Sequence, residues 1–562
     1  MTVVTSFPGV YLTESTNVPH VVVPATTNLT AFVGQFAKGP TGRAQLVGSW
    51  PEFVNVYGGL RSDSLASYGV FQFFANGGIG AWIVRLVAPA ATTPTAPAAS
   101  TATVGPLTIE ANSPGGWADG LVVTLALQQM GPPNGQQLYA TAIVTDAKAK
   151  VVEKLTALPA WSATSATDWA ELATSIAEQS AVLTASAIAD PKLDPEPPAG
   201  ATKPPTAAPT PVTYTGTLDG GADPTMAASD FLTQVEAQLG TGDATPLLDK
   251  ITPQVFNLLA IPDAALLPLE EQVTLYGKAI AYAKARQAFV VVDTPPPSAV
   301  KAALPDDAPM TPDTTFDTLG DGATGSMFAI TMGPWAAGLL TEAGTAGAVY
   351  YPWVQILDPL DKQRPRFVPP SGTVAGLYAA NDAATGGPWT APAGTNLVLG
   401  GVTDLADDTI DDGVQGELNV MGINCLRTFP VYGRVVWGTR TLAGSDLADN
   451  PWKYVPVRRM ANFIELSLKQ SLKWAVFQPN NEPLWASMTQ EVGAFMGGLF
   501  SQGAFGGTTA ASAFRVTCDA TTTSPLDQET GRVNIQVAFV PVYPAEFVVL
   551  NVELAAALPA AS

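Results

Sequence analysis

The stretch "VRRMANFIELSLKQSLKWAVFQPNNEPLW" (residues 457–485) contains two amphipathic segments separated by a polar stop. In the first segment, apolar residues fall at helical spacing at Val457, Met460, Ala461, Ile464, Leu468, Leu472 and Ala475. Asn480 or Asn481 can cap a following helix, and Pro483 suits its first turn. This pattern predicts a hairpin of two helices. The second helix is expected to bury Leu484, Met488, Val492, Phe495 and Leu499.

The first segment also carries a group of cations. Arg458, Arg459, Lys469 and Lys473 lie away from the apolar stripe, and Glu465 is the acidic residue among them. Two interpretations stay open. The cations form an exposed basic face that contacts an acidic partner, or they belong to a helix face that is merely solvated.

The composition of the 562-residue chain favours several domains with large buried interfaces, because 47% of the residues are apolar and only 13% are charged. The 48 acidic residues against 27 Lys and Arg give a net charge of −21, which disfavours binding to nucleic acid. Cys425 and Cys518 are too few for a disulfide framework and indicate reduced core residues. No basic residue precedes Lys38, and no apolar run reaches about 18 residues. We therefore expect cytoplasmic assembly and no membrane insertion.

Prolines and Pro/Ala/Thr-rich tracts divide the chain. Three prolines near the N-terminus favour an extended arm over a central strand. The tracts at 88–106 and 195–213 bracket the alternating strands "LVVTLALQQM" and "LYATAIVTD", which predicts a β-rich insertion. Continuous apolar strands alternate with helices over 216–360 and predict a mostly parallel sheet, whereas 361–400 is predicted as a Gly/Pro-rich loop.

These patterns predict an α/β fold, α+β overall. The predicted parts are an N-terminal arm (1–25), the first part of an α/β core (26–90), the insertion (91–215), an α/β region with a loop (216–400), a C-terminal α+β domain (401–540) and a C-terminal arm strand (541–562).

A search for chemistry in the sequence gives no catalytic site. His20, the single histidine, lies in the arm, where it is poorly placed to act as a base. "GDGATG" (320–325) has the glycine spacing of a dinucleotide loop, but a loop precedes it and a strand follows it. "DLADDTIDDGVQGE" (404–417) lacks the spacing of a calcium loop and is interpreted as a solvated acidic loop. The sequence therefore predicts no catalytic residues, metal or cofactor. The single histidine excludes a histidine metal site, whereas a site made of oxygen ligands alone stays open.

Blocks at both ends of the chain resemble the contractile tail sheath proteins of phages and phage-tail-like injection systems. The blocks are "PGVY" (8–11), "AFVG" (31–34), "NGG" (76–78), "EPLW" (482–485), "CD" (518–519) and "PAEF" (544–547), in this order. The motif "ANSPGGWADGL" (111–121) in the insertion is also similar to the family.

The resemblance implies a non-enzymatic subunit that polymerises as a six-start helix around an inner tube and contracts to drive that tube through an envelope. It implies a subtilisin-like α/β core without protease function, an insertion on the outer face and a tube-proximal C-terminal domain. Partners would be further copies of the chain, the inner tube protein, the baseplate and terminator or cap proteins. A static capsid or surface-layer subunit and, less favoured, a cytosolic subtilisin-like hydrolase are the alternatives.

The resemblance also assigns roles to residues. Arm strands that cross to neighbouring subunits would contain Val10, Tyr11, Leu12, Val21, Val22, Val23, Phe547, Val548, Val549 and Leu550. The basic residues Arg458, Arg459, Lys469 and Lys473 would face the tube. The type of particle, its trigger and cargo, and recycling by an ATPase stay open.

Overall fold

The computed structural model describes residues 21–89, 96–130, 137–159, 166–188, 212–240, 245–251, 256–296, 335–340, 342–408, 410–444 and 450–547. These residues form two compact units. The C-terminal unit contains the described parts of 1–27, 381–392 and 450–562, and the core unit contains those of 28–380 and 393–449.

The bounds of the strands and helices follow in chain order. The strands are β1 (Leu29–Gln35), β2 (Gln45–Val47), β3 (Gly80–Leu86), β4 (Thr101–Val104), β5 (Leu107–Ala111), β6 (Val122–Met130), β7 (Gln137–Thr145), β8 (Val151–Pro159), β9 (Leu183–Ala187), β10 (Val212–Thr217), β11 (Leu258–Ala260), β12 (Phe289–Asp293), β13 (Gly347–Tyr351), β14 (Val354–Asp358), β15 (Arg364–Val368), β16 (Asp404–Leu405), β17 (Ile423–Phe429), β18 (Gly433–Val436), β19 (Phe514–Thr517) and β20 (Gln536–Phe539). The helices are α1 (Trp50–Tyr57), α2 (Leu65–Ala75), α3 (Ala166–Gln179), α4 (Ala228–Gln238), α5 (Leu269–Ala285), α6 (Ser371–Thr385), α7 (Asp412–Val420), α8 (Val455–Ser471), α9 (Glu482–Ser501), α10 (Ala510–Ala513) and α11 (Pro525–Glu529).

The core unit is built on an eight-stranded sheet in the order β18-β17-β13-β12-β11-β1-β3-β2. The six inner strands pair in parallel, and the edge strands β2 and β18 pair antiparallel to their neighbours. Strands such as β12, "FVVVD", are apolar along their length because both faces of the sheet are covered and every residue of the strand is buried. The prediction of a mostly parallel sheet is confirmed.

The prediction that 361–400 is a loop is wrong. The segment contains strand β15 and the 15-residue helix α6. Glycines in this segment gave it the composition of a loop. They are present because α6 packs very close to α2. A methyl group at Gly372 would lie 2.1 Å from the carbonyl oxygen of Gly69, so only glycine allows this approach.

The border predicted at 401 also moves. Strands β17 and β18 continue the eight-stranded sheet, because β17 pairs with β13. The core unit therefore extends to Asp449, and the C-terminal unit resumes at Asn450.

The insertion has a hydrophobic core of its own. Its sheets are β10-β6-β7-β8 and β4-β5-β9, and helix α3 lies among them. The predicted strands β6 and β7 pair antiparallel, as expected. Strand β10 runs through Thr217, and Ala222 pairs with Ala98, so the insertion ends near 222 rather than at 215.

Buried polar contacts tie the base of the insertion to the core strands. The guanidinium of Arg85, which is 1% exposed, donates to the carbonyl oxygens of Phe36 and Gly39 (3.1 and 2.8 Å) and to that of Pro114 (2.8 Å). It also pairs with Asp223 at 2.8 Å. The motif at 111–121 therefore docks the insertion onto the core, which its proline-rich borders do not reveal.

We expect that the insertion can be deleted without unfolding the core, provided that the deletion follows the borders seen in the structure. Ala98 and Ala222 exchange two backbone hydrogen bonds of 2.8 Å, so a short Gly/Ser linker can replace 98–222 while Asp223 keeps its contact with Arg85. We expect a folded, soluble core with cooperative thermal unfolding, measured by circular dichroism. A cut at 91–213 should instead give aggregation, because it separates Tyr214 and Leu218 from the core that buries them. Equal behaviour of the two variants would contradict these borders.

Candidate functional site

The predicted helical hairpin is present in the C-terminal unit. Helix α8 continues into a 3₁₀ turn, Leu472–Ala475, and α9 follows after the polar stop. The Asn481 side chain accepts a hydrogen bond from the amide of Leu484, which confirms the predicted cap. Asn480 accepts from the indole of Trp485 (2.9 Å) and donates to the carbonyl oxygen of Arg532 (2.9 Å). The stop thus fixes the hairpin geometry through side chains.

Arg459 does not belong to an exposed basic face. Its side chain is 4% exposed and forms two parallel hydrogen bonds, of 2.9 and 2.6 Å, with the carboxylate of Asp382, which is 1% exposed. Burial raises the pKa of Asp382, and the guanidinium of Arg459 opposes that rise. The pair is a buried internal ion pair of the C-terminal unit.

Arg458 is likewise neutralised within its own helix. Its guanidinium donates to Asn462 (2.8 Å) and Glu465 (2.9 Å) and lies 4.5 Å from the ring of Trp452. The expectation of exposure is therefore wrong for both arginines. Every residue from Val455 to Ile464 is buried, so the first turns of α8 are covered on all sides and the predicted single apolar stripe is too narrow.

Lys469 and Lys473 are placed differently, because both side chains are exposed near the C-terminal end of α8. The hairpin tip beyond them is apolar: Val476 is 59% exposed, and Phe477 is fully exposed with a left-handed backbone (φ 69°). A bulky residue in this conformation is uncommon. Exposed cations and an exposed aromatic ring therefore stand together at this end of the hairpin.

The inner part of the N-terminal arm lies on the chain's own helix α8. Residues 21–27, here called the strap, carry no strand assignment. The amide of Val23 donates to Ser471 Oγ and that of Ala25 to Ser467 Oγ, both at 2.9 Å. Arg459 Nη2 donates to the carbonyl oxygen of Thr27 at 3.0 Å.

The strap corrects the assignment of 1–25 as one free arm. Val22 is 4% exposed and packs against its own chain, so it is not available as an exchanged strand residue, whereas Val21 and Val23 expose 72% and 65% of their surface. The following residues lie outside the described part of the chain: Val10, Tyr11, Leu12, His20, Val548, Val549, Leu550, the glycine motif at 320–325 and most of the strand predicted to follow that motif.

The C-terminal arm leaves from the opposite end of α8. The hydroxyl of Tyr454 donates to the Glu546 carboxylate at 2.8 Å, and Lys453 Nζ lies 4.0 Å from it. Phe547, the next residue, is 72% exposed. Glu546 therefore anchors the chain immediately before the predicted exchanged strand. Glu546 lies in the block "PAEF" that carries the family resemblance, but its contact with Tyr454 is not visible in the sequence. Ser467 and Ser471 could not be singled out from the sequence, because serine is common on solvated helices.

Strands β19 and β20 form a two-stranded antiparallel sheet in the same unit. Exposed apolar side chains follow β20, with Val540 at 46%, Val542 at 39% and Tyr543 at 54%. Within the described residues no further strand joins either edge of this sheet, although Phe505 forms a bridge with Pro541 just after β20. Edges of this kind accept further strands.

The carboxyl ends of β1 and β11 form the crevice in which open α/β sheets bind ligands, because the connections after these neighbouring strands leave in opposite directions. Here the crevice holds the chain's own Asp263, which accepts hydrogen bonds from the amides of Leu65 and Ala66 at the start of α2. Burial raises the pKa of Asp263 to about 6, and those amides oppose the rise. An internal carboxylate thus takes the position of a ligand anion.

Other chemical features are accounted for by structure. In the acidic stretch 404–417, Asp411 caps α7, Asp412 pairs with Arg427 and Asp407 accepts from Tyr351. Burial raises the pKa of the Cys425 thiol to about 12, which leaves it unreactive. Within the described ranges, no three His, Cys, Asp or Glu side chains are grouped to hold a metal ion. Among the helices that the structure describes, none is long and apolar enough to cross a membrane.

The sequence matches two family models. The phage tail sheath protein central domain matches residues 237–442, and the phage tail sheath C-terminal domain matches residues 448–555. A tail sheath protein of Vibrio phage KVP40 is 31% identical over 200 residues, which are 34% of this chain and 26% of that protein. The matched region thus spans about a quarter of the length of this relative.

Solved structures share the fold over almost the whole chain. The contracted PVC sheath of an extracellular contractile injection system has a TM-score of 0.53 at 20% identity and covers 99% of both chains. The contracted helical sheath of the anti-feeding prophage has a TM-score of 0.53 at 21% identity, covering 98% of this chain and 99% of that one. A sheath tail protein from Listeria innocua has a TM-score of 0.54 at 11% identity, covering 93% and 96%. With two family models that together cover more than half of its residues, the chain belongs to the contractile tail sheath family.

Proposed function

We propose that the chain is a structural subunit of a contractile sheath, which polymerises helically around an inner tube and shortens to drive the tube through an envelope. The observation that carries this proposal is that the N-terminal and C-terminal segments leave the subunit from opposite ends of helix α8. The strap ends near Ser471, and the C-terminal anchor holds Glu546 beside Tyr454. Helix α8 between them has 17 residues, so the two arms leave from points about 25 Å apart on one rigid element.

Such an arrangement suits a subunit that links two neighbours. An arm strand that adds to the free edge of β19–β20 in another copy forms main-chain hydrogen bonds, which survive a rotation of the rigid bodies that they connect. A head-to-tail contact of this kind does not close on itself and produces a helical filament. Contraction then needs no nucleotide, because repacking of rigid bodies releases the energy of the extended state.

The finer assignments follow from the family resemblance. They are a six-start helix, a subtilisin-like arrangement of the core sheet, the insertion on the outer face and the C-terminal unit toward the tube. Baseplate and terminator proteins would cap the polymer, and assembly would take place in the cytoplasm. We assign a structural rather than an enzymatic role, which the occupied crevice at Asp263 supports.

Negative-stain microscopy of purified particles tests the proposed function. A sheath subunit should form striated cylinders in a long, narrow state and a short, wide state. A closed shell of fixed size or a flat lattice would instead support a static capsid or surface-layer protein.

Lys469→Glu combined with Lys473→Glu should weaken attachment to the tube. Both side chains are exposed, so reversal of two charges should leave thermal unfolding unchanged. Because the effect repeats in every subunit, we expect at least about a tenfold loss of sheath that cosediments with tubes, and high salt should weaken the wild type in the same direction.

The matched control for this prediction is Lys148→Glu combined with Lys150→Glu, which makes the same charge change on an exposed turn of the insertion. This variant should cosediment with tubes like the wild type. Equal loss in both variants would show that net charge, rather than the end of α8, governs attachment.

A further inference from the structure

The spacing of two amide groups along the strap matches the spacing of two serine side chains along helix α8. Val23 and Ala25 are two residues apart, and their partners Ser471 and Ser467 are four residues apart. Two extended residues advance about 6.6 Å and four helical residues about 6 Å. Two strap amides that point the same way, those of Val23 and Ala25, therefore each donate to a serine hydroxyl on one face of the helix.

Each hydroxyl is oriented for this contact. Ser467 Oγ donates to the carbonyl oxygen of Phe463 at 2.7 Å, which leaves its lone pairs for the amide of Ala25. Ser471 Oγ accepts from the amide of Val23 and donates to its carbonyl oxygen at 3.4 Å. Pro24, between the two contacts, has no amide hydrogen that would need a partner. The two serines thus hold the main chain of the strap with little dependence on its side chains.

The outer hydrogen bond of the strap, at Ser471, is exposed and the inner one, at Ser467, is buried, although the Val22 side chain beside the outer bond is itself only 4% exposed. Val23 is 65% exposed and Ala25 is 8% exposed, while Thr27 is bound by the buried pair of Arg459 and Asp382. Water can compete for the contact at Ser471 more readily than for the one at Ser467, which is fully buried. The outer contact is therefore the first to open.

We propose that Ser467 and Ser471 are positioning residues that fix the point where the N-terminal arm leaves its own subunit, and that the strap peels from the Ser471 end under load. Each contact that opens lengthens the free arm by two residues, about 6.6 Å. This role deepens the proposed sheath function and rests on it. It gives the linkage between subunits an adjustable length without a change of fold.

Hydrogen exchange on the full-length, unpolymerised subunit tests the strap, with fragmentation that resolves single amides. Ser471→Ala should speed exchange at Val23, and Ser467→Ala should speed it at Ala25, each by about fivefold to tenfold. In the wild type, Val23 should exchange faster than Ala25. Ser487→Ala is the matched control, because the Ser487 hydroxyl also donates to a carbonyl oxygen of its own helix but contacts no strap residue.

Unchanged exchange at both amides in the serine variants, or faster exchange at Ala25 than at Val23 in the wild type, would overturn the proposal. Helical reconstruction provides a second readout: cylinders of the double serine variant should show a broader spread of subunit rise than the wild type. Normal helical order in a variant with deprotected amides would show that the strap does not position the arm. Failure of the wild type to form cylinders would refute the sheath function. The exchange result would then still test the contacts between the strap and the two serines.

Discussion

Arg459→Ala should lower the free energy of unfolding of the C-terminal unit by about 3–5 kcal/mol, because it leaves the Asp382 carboxylate buried without its partner. The same change removes the donor that holds the carbonyl oxygen of Thr27. Urea denaturation of the full-length subunit, followed by tryptophan fluorescence, should show a clear fall in midpoint, and the melting temperature should fall on the order of 10 °C.

Two further variants make this result specific. Arg515→Ala makes the same substitution at an exposed site of the same unit and should change the free energy of unfolding by less than about 0.5 kcal/mol. Arg459→Met combined with Asp382→Leu removes both charges and should recover most of the lost stability. An unfolding midpoint for Arg459→Ala equal to that of Arg515→Ala would contradict the buried pair.

Local sequence patterns were sufficient to predict two kinds of element: those whose partners are a few residues away in the chain, and those whose residues are all apolar. The buried parallel strands were predicted because burial on both faces leaves only apolar residues, as in β12. The cap at Asn481 was predictable because its partner, Leu484, is three residues away. Helix α6 was missed because its glycines are required by α2, about 300 residues earlier, and glycine in an isolated sequence reads as a loop.

The basic face was predicted only in part for the same physical reason. Helical periodicity shows which face of α8 a side chain occupies, but it does not show whether another segment covers that face. Asp382 lies 77 residues before Arg459, and no local pattern connects them. Lys469 and Lys473 lie beyond the covered turns, and the structure leaves them exposed. The contacts of the strap with α8 were not predicted, because the two serines bind backbone amide groups, which every residue except proline has.

Deletion of residues 2–20 should leave a folded, soluble subunit and abolish both extended and contracted cylinders. The deletion retains the strap, so the buried contacts of Val22 and Ala25 with the C-terminal unit persist and thermal unfolding should stay near that of the wild type. Light scattering and microscopy measure polymerisation. Deletion of residues 2–27 is the comparison variant, and it should also lower the melting temperature because it removes the strap from Ser467 and Arg459.

The two deletions separate linkage from folding. Each exchanged strand would satisfy several backbone groups of a neighbour at about 0.5–1.5 kcal/mol apiece, so its loss removes more energy from every subunit contact than any single exposed ion pair provides. Since every subunit in a helical polymer needs the same contact, a loss of this size per contact prevents growth rather than merely shortening the cylinders. Normal cylinders from the 2–20 deletion would place the linkage elsewhere, with the residues after Phe547, beyond the Glu546 anchor, as the next segment to delete.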